Sequence, residues 1–167
     1  MAWKMAYIGL GANLRPRRKN CLLAIELLKK TPEIRVVSMS RFYETEPVGV
    51  DTTHLFVNAA AGIETSLLPY PLLDMLLQIE HKLGRDRSKG PDRTIDIDLL
   101  YYEGVKIDEG GLSLPHPRAS GRRFVLAPLV EIAPDLNIGP EGETVAMLLS
   151  RLPEIPSVRM MDKGSRS

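Results

Sequence analysis

The segment that most constrains the fold is an alternating run, RTIDIDLL, at residues 93–100. Successive side chains of a β-strand point to opposite faces of its sheet, so this alternation predicts a half-buried strand over residues 95–102. One face of that strand carries Ile95, Ile97 and Leu99 toward a core. The other face carries Asp96 and Asp98 together, with their Cα atoms about 6.6 Å apart. We therefore expect a sheet with an apolar face and, on its opposite face, a pair of carboxylates.

The predicted elements upstream of this strand alternate in a recognisable order. Their ranges are strands at 6–14, 34–43 and 55–65, helices at 17–30 and 71–83, and a loop at 44–53. With the strand at 95–102 the order is β-α-β-β-α-β, which favours an α+β ferredoxin-like sandwich with its helices on one face of an antiparallel sheet. The C-terminal additions are an irregular stretch at 103–123 and short helices at 124–132 and 144–152.

Length and charge exclude several classes of protein. The 167 residues match one domain, which we place at 1–161 with a frayed tail at 162–167. Lys and Arg number 22 against 21 Asp and Glu, which argues against a protein that coats nucleic acid. A single cysteine, Cys21, excludes an internal disulfide and a multi-cysteine zinc site, and no apolar run is long enough to span a membrane. We expect a cytoplasmic monomer with neither nucleic acid nor membrane as a partner.

The paired carboxylates and their basic surroundings predict a site for a metal and a phosphate. Asp96 and Asp98 repel each other unless a cation lies between them, and hard carboxylate oxygens suit Mg²⁺. A basic loop at 85–93 immediately precedes them. Its cations are Arg85, Arg87, Lys89 and Arg93. Guanidinium groups bind phosphate oxygens in bidentate fashion, so the loop and the carboxylates together favour a phosphate–metal complex.

A second cluster follows at 114–124, where His116 lies between two prolines and the pair Arg122-Arg123 adjoins Phe124. This arrangement suits a positioned hydrogen-bond donor, further cations and a ring that stacks on a flat heterocycle. The same residues also have a purely structural interpretation. The aspartates then form a solvated polar face, the basic loop neutralises them, the histidine is incidental and Phe124 anchors the core. Gly9-Leu10-Gly11 lacks the third glycine of a dinucleotide-binding loop, and the chain contains no Gly-Lys-Ser/Thr of a P-loop.

Taken in order, the motifs resemble those of the 6-hydroxymethyl-7,8-dihydropterin pyrophosphokinase family. The matching pieces are YIGLGANL at 7–14, YETEPVG at 43–49, FVNAA at 56–60, IE at 79–80, GRDR at 84–87, RTIDID at 93–98, LPH at 114–116, and the stretch from Phe124 to Pro134-Asp135. They span nearly the whole chain, and their combination is highly specific.

The resemblance implies a ferredoxin-like fold and a reaction between ATP and 6-hydroxymethyl-7,8-dihydropterin in folate biosynthesis. The pterin hydroxymethyl oxygen attacks the β-phosphorus, and AMP leaves. The implied catalytic residues are Arg85, Arg93, Asp96 and Asp98, the two aspartates also binding two Mg²⁺ ions. The implied ATP contacts are Glu80, Arg87, Leu99, Ser113, His116 and Arg122. The implied pterin contacts are Thr45, Val48, Phe56, Asn58 and Phe124, with Phe56 standing where the family usually has a Tyr.

One departure from the family lies in the basic loop. The family usually carries a Trp-Gly-Pro-Arg run before the Arg-Thr-x-Asp-x-Asp motif, in a loop that closes over the substrates. Here the segment reads SKGPDR at 88–93, is shorter by about two residues and contains no Trp. The contact that the indole makes must therefore be replaced or absent.

Two other functions share some of these features. A metal-dependent nucleotidyltransferase also uses paired strand aspartates and ATP, but it releases pyrophosphate and carries a Gly-Ser pair near its first helix, which this chain lacks. A non-catalytic ferredoxin-like binding module would show exposed aromatic residues on its strands for stacking on bases. Few such residues are visible here.

Overall fold

An antiparallel sheet organises the part of the chain that the computed structural model describes, residues 2–47, 52–86, 88, 90–154 and 157–161. The strands are β1 (Lys4–Ala12), β2 (Ile34–Met39), β3 (Tyr43–Thr45), β4 (Phe56–Thr65), β5 (Asp96–Tyr102), β6 (Ile107–Glu109), β7 (Leu112–Leu114) and β8 (Val158–Met160). The α-helices are α1 (Arg17–Lys29), α2 (Pro69–Lys82), α3 (Arg123–Ile132) and α4 (Val145–Arg151), and a 3₁₀ helix lies at Ala119–Gly121.

The order of the strands confirms the predicted ferredoxin-like core. The sheet runs β5-β1-β4-β3-β8, and β2 pairs with β4 along the same edge as β3. Every one of these pairings is antiparallel. The four strands β5-β1-β4-β2, with α1 and α2 as crossovers, reproduce the β-α-β-β-α-β arrangement.

The face of the sheet that α1 and α2 cover holds the main hydrophobic core. Residues that alternate along β1, β4 and β5 point into it and meet the apolar stripes of the two helices. Ile95, Ile97 and Leu99 are all buried there, as the alternating run predicts. The carboxylates of Asp96 and Asp98 consequently face the other side of the sheet.

The opposite face is also covered in part, which the prediction of helices on one face alone does not include. A second core forms where Ala60 and Leu100 of the sheet pack against Leu126 and Leu129 of α3 and against α4. Glu131 holds α3 against the sheet, because its carboxylate accepts hydrogen bonds from the Tyr43 hydroxyl (2.6 Å) and from the amide and the Nε of Arg41. This second layer walls one side of the functional site described below.

The predicted strand at 34–43 is wrong in its length, because the chain breaks after Met39. The Ser40 hydroxyl accepts a hydrogen bond from the Ala60 amide (2.8 Å) and donates one to the Arg41 carbonyl (2.7 Å). A side chain thus takes a place in the ladder of backbone hydrogen bonds, and a new strand, β3, begins at Tyr43. The predicted loop at 44–53 therefore starts with strand residues.

Short strands account for two further differences. The stretch predicted as irregular contains the β6–β7 hairpin, whose turn residues Gly110 and Gly111 have φ angles of 61° and 80°. Paired positive φ angles are the requirement of a tight two-residue hairpin turn, which glycine meets at little steric cost. Near the C-terminus β8 adds to the sheet edge through β3. Three-residue strands carry too little alternation to be recognised in a sequence.

The helices predicted at 17–30, 71–83, 124–132 and 144–152 are confirmed within about two residues at each end. Among the described residues, none of the helices has the length and apolar character needed to cross a membrane. The tail predicted as frayed, 162–167, lies outside the described residues.

The second core makes a direct prediction about stability. Leu129→Ala removes a fully buried side chain between α3 and the sheet, and it should lower the free energy of unfolding by about 2–5 kcal/mol. Leu77→Ala is the matched control, because Leu77 lies 41% exposed on α2. Urea denaturation measures the free energy of unfolding of both variants. A loss for Leu129→Ala as small as that for the exposed Leu77→Ala would mean that the packing of α3 contributes little to stability.

Candidate active site

A cavity of about 480 Å³ opens on the face of the sheet beside α3. Its floor is formed by β1, where Gly11 lies between Asn58 of β4 and Asp96 of β5, and where Gly9 is paired with Asp98. The two glycines place no side chain on this face, so the residues on the two flanking strands line an open space. The cavity therefore results from the register of β1 with β4 and β5 and from the absence of side chains at Gly9 and Gly11.

The two aspartates of β5 lie in this cavity, as the alternating run predicts. Burial raises the pKa of Asp98 to about 6, and the neighbouring charge of Asp96 adds to the rise. Arg122, Arg93 and Arg118 oppose the rise without cancelling it. Arg93 also pairs with Asp96, with 3.2 Å between Nη1 and Oδ2. Two carboxylates in one partly buried site thus retain an unfavourable interaction that a cation would relieve.

The arginines and the histidine expected at the site converge on the same space. In the described part of the chain, Arg85, Arg93, Arg122 and His116 all line the cavity. Burial, together with Arg122 and Arg118, lowers the pKa of His116, so its imidazole is neutral at pH 7. Its Nδ1 accepts a hydrogen bond from the Arg118 amide (3.2 Å), which leaves Nε2 to carry the proton of the neutral ring.

The lining of the cavity also includes an amide and two aromatic rings. The buried Thr45 hydroxyl donates to the Asn58 Oδ1 (2.7 Å), which leaves the Nδ2 group of Asn58 beside Gly11. Phe56 and Phe124 also line the cavity. A guanidinium lies over each ring, Arg93 at 5.3 Å from the Phe56 centroid and Arg122 at 5.5 Å from that of Phe124. Phe56, Phe124 and Asn58, which we call the amide–aromatic slot, thus supply two apolar rings and an oriented amide.

Three residues predicted to contact the nucleotide do not line the cavity. Leu99 is buried in the core on the opposite face of the sheet. Glu80 is buried on α2, where its carboxylate accepts a hydrogen bond from the Ile97 amide (2.7 Å) on the free edge of β5. Ser113 lies in the β6–β7 hairpin and donates to Asp108 (2.7 Å). The geometry thus gives Glu80 a place in supporting the strand that carries the aspartates.

Two predicted site residues, Arg87 and Val48, lie outside the described residues. Conversely, Arg118 and Glu46 line the cavity although the sequence analysis assigns them no role. The sequence could have indicated Arg118, because this residue follows His116 by two positions and adds a cation to the same turn. Glu46 carries no such signal, since a carboxylate after a short strand reads as a solvated loop residue.

The carboxylates of Asp96 and Asp98 fit a magnesium ion whose remaining ligands are water and the phosphate oxygens of a substrate. No group of three or more His, Cys, Asp and Glu side chains that could hold a metal occurs among the described residues. Mg²⁺, however, is commonly bound through one or two carboxylates and completes its shell with water and phosphate oxygens. Asp96 and Asp98 supply those carboxylates, and their mutual repulsion favours occupation by a cation.

Comparisons with known proteins agree on one family. A model of the family described as 7,8-dihydro-6-hydroxymethylpterin-pyrophosphokinase (HPPK) matches residues 7–134. The chain is 48% identical over 149 residues to the 2-amino-4-hydroxy-6-hydroxymethyldihydropteridine pyrophosphokinase of Methylorubrum extorquens, covering 88% of this chain and 92% of that protein. It is 44% identical over 130 residues to the enzyme of the same name from Bacillus subtilis, with 77% of each chain covered.

Solved structures support the fold alone, because their sequences are distant. The chain superposes on the Plasmodium falciparum HPPK-DHPS protein crystallised with pteroate with a TM-score of 0.73 at 15% identity. A second HPPK-DHPS structure, in complex with substrates, gives a TM-score of 0.69 at 14% identity. The superpositions cover 89% of this chain, which spans 42% and 43% of those longer proteins.

The raised pKa of Asp98 predicts an unusual response to pH. A carboxyl whose pKa is higher in the folded than in the unfolded state stabilises the fold below about pH 4, and this contribution is lost as the pH rises through about 6. Without divalent metal, Asp98→Asn should therefore melt a few degrees above the wild type at pH 8, and the difference should vanish near pH 4. Mg²⁺ should raise the melting temperature of the wild type more than that of the variant.

Thermal denaturation followed by circular dichroism measures this difference. Asp74→Asn is the control, because it removes one carboxylate from the exposed face of α2 and should leave the melting temperature unchanged. An Asp98→Asn protein that melts well below the wild type at pH 8 would show that Asp98 stabilises the fold instead of straining it.

Proposed function

The chain belongs to the 7,8-dihydro-6-hydroxymethylpterin-pyrophosphokinase (HPPK) family, whose activity is the transfer of pyrophosphate from ATP to hydroxymethyldihydropterin in folate biosynthesis, and we propose how its cavity performs that transfer. The hydroxymethyl oxygen forms a bond to the β-phosphorus and releases its proton to water, and the bond from that phosphorus to the α,β-bridging oxygen breaks, so that AMP leaves. The observation that supports the proposal is that Asp96 and Asp98 line one cavity together with four arginines, an amide and two aromatic rings.

The pterin occupies the slot formed by Phe56, Asn58 and Phe124. A pterin ring is flat and has polar edges, so it suits two aromatic walls and an amide that hydrogen-bonds within the ring plane. Thr45 holds that amide by its oxygen, so the Asn58 Nδ2 donates toward the cavity. Loss of Thr45 would free the amide to rotate and weaken its selection of a ring acceptor.

The triphosphate lies against the guanidinium groups that border the slot. Arg85, Arg93 and Arg122 bind non-bridging oxygens, and Arg118 adds a fourth cation near Asp98. The neutral His116 donates from Nε2 to an oxygen without adding charge. Transfer of this kind depends on alignment and charge stabilisation, and these side chains supply both.

Asp96 and Asp98 would hold two Mg²⁺ ions together with the bound nucleotide. Bound Mg²⁺ would neutralise and orient the phosphate oxygens on which negative charge develops. For Asp98 to serve as a ligand it must lose its proton, which a neighbouring cation favours. Arg93 then exchanges its pairing with Asp96 for phosphate oxygens.

Other expectations remain predictions. They are contacts of Arg87, Glu80, Leu99 and Ser113 with ATP, a contact of Val48 with the pterin, a monomeric state, a cytoplasmic location and a single domain over 1–161.

Product identity tests the proposed function. The purified protein with ATP, Mg²⁺ and 6-hydroxymethyl-7,8-dihydropterin should release AMP in equal amount to the pyrophosphorylated pterin, as measured by anion-exchange chromatography. Asp96→Asn should lower the rate at least a hundredfold, and Asp74→Asn should leave it unchanged. Release of pyrophosphate would indicate a nucleotidyltransferase, and no turnover at all would favour a binding module.

The amide slot predicts that one added methyl group separates pterin binding from ATP binding. A Cβ at position 11 would lie 2.9 Å from the Asn58 Nδ2, so Gly11→Ala must displace the amide that Thr45 holds. The Kd for the pterin should rise about tenfold while the Kd for ATP changes less than twofold, as measured by calorimetry. Equal weakening of both would place Asn58 outside the pterin slot. Gly121→Ala is the control, since a Cβ there meets nothing within 4 Å.

A further inference from the structure

The carboxylate of Asp92 joins three separate segments at the edge of the cavity. Its Oδ1 accepts hydrogen bonds from the Asn13 Nδ2 (2.8 Å) and the Thr52 hydroxyl (2.6 Å). Its Oδ2 lies 3.0 Å from the His54 Nδ1. Asn13 follows β1, and Thr52 and His54 precede β4, whereas Asp92 belongs to the basic loop before β5. The hydrogen bond from Thr52, followed by those from His54 and Asn13, holds the pKa of Asp92 below its usual value although partial burial opposes this.

The residue next to this junction, Arg93, has its backbone fixed on both sides. Asn13, itself buried, accepts a hydrogen bond from the Arg93 amide through Oδ1 (2.7 Å). The Arg93 carbonyl accepts hydrogen bonds from the amides of Asn13 (3.1 Å) and Leu14 (3.2 Å). The backbone of Arg93 is thus tied to the end of β1, and the preceding residue, Asp92, connects it to the segment before β4.

The side chain of Arg93 points from this junction into the proposed site. Its Nε donates to the Pro91 carbonyl (2.9 Å), and its Nη1 bonds to Asp96 (3.2 Å). Its guanidinium lies over Phe56, which follows His54 by two residues. Arg93 therefore contacts a residue of the metal site and a wall of the pterin slot at once. An error in its placement would misalign the two substrates.

We propose that Asp92 is a positioning residue, which fastens the segment 52–55 to the end of the basic loop and thereby holds Arg93 between Phe56 and Asp96. The inference rests on the proposed function and specifies a contact that preorganises that site. The basic loop of this chain has no Trp, and Asp92 stands between Pro91 and Arg93. The aspartate and its three side-chain partners give the loop a fixed attachment that requires no indole.

Kinetics of single and double variants test the attachment. Asp92→Ala removes both carboxylate oxygens that bind Asn13, Thr52 and His54, and it should lower kcat about 10- to 100-fold, with the KM values for ATP and the pterin changed less than about threefold. Thr52→Val keeps the shape of the side chain but removes its hydroxyl donor, and it should lower kcat about tenfold. Thr52→Ser keeps the hydroxyl, and its kcat should lie within twofold of the wild-type value. Asp74→Ala, on the exposed face of α2, is the control for loss of a carboxylate.

The double variant Asp92→Ala/Thr52→Val distinguishes a shared role from two separate ones. Because Thr52 acts through Asp92, the double variant should be no slower than Asp92→Ala alone. Multiplied losses would overturn the proposal, as would a kcat for Asp92→Ala within twofold of the wild type.

Hydrogen exchange of the unliganded protein separates this proposal from the proposed function. In Asp92→Ala, amide exchange should accelerate in both 52–56 and 90–95, while β1 and β4 stay protected, and this holds whether or not AMP is the product. Faster exchange confined to 90–95 would contradict the attachment. Absence of AMP release by the wild type would instead refute the proposed function and leave the exchange result standing.

Discussion

The burial of Asp98 beside a second carboxylate on the same strand face is the constraint around which the site is arranged. A strand places Asp96 and Asp98 on the same side, and the partial burial of Asp98 keeps water from screening the pair fully. Three arginines from two parts of the chain, Arg93 and the pair Arg118 and Arg122, lie near enough to lower the energy of the charged state, but the pKa of Asp98 still stands at about 6. The unliganded site is therefore under electrostatic strain, and binding of a divalent cation with a polyphosphate relieves it.

The fold creates room for this chemistry by leaving part of one sheet face without side chains. On the face covered by α1 and α2, large apolar residues fill the core. On the other face Gly9 and Gly11 of the central strand leave a floor, and α3 covers the sheet only beside it. A buried carboxylate on α2, Glu80, binds the free edge of β5 between the two aspartates. The main core thus occupies one face of the sheet, whereas the opposite face carries both the second core and the site.

The parts of this arrangement that could be predicted are those with a strong local pattern. The alternation at 95–99 predicts both the strand and the shared face of the two aspartates, and the helical spacing predicts α1 and α2. The break at Ser40 could not be predicted, because it depends on a hydroxyl reaching the Ala60 amide of another strand. The pairing of β8 with β3 could not be predicted either, because Thr45 and its partner Val158 are 113 positions apart in the sequence. The same limit applies to Asp92, whose partners lie 79 and 40 residues away in the sequence.

The most direct measurement of the central claim is a crystal structure with Mn²⁺ and a non-hydrolysable ATP analogue, in which anomalous scattering locates the metal. The account predicts anomalous peaks at coordination distance from the carboxylates of both Asp96 and Asp98, with the phosphate oxygens completing the shell. It also predicts that Arg93 leaves Asp96 for the phosphates. Peaks at another group of side chains, or an analogue bound with Arg93 still paired to Asp96 and no metal between the two aspartates, would contradict it.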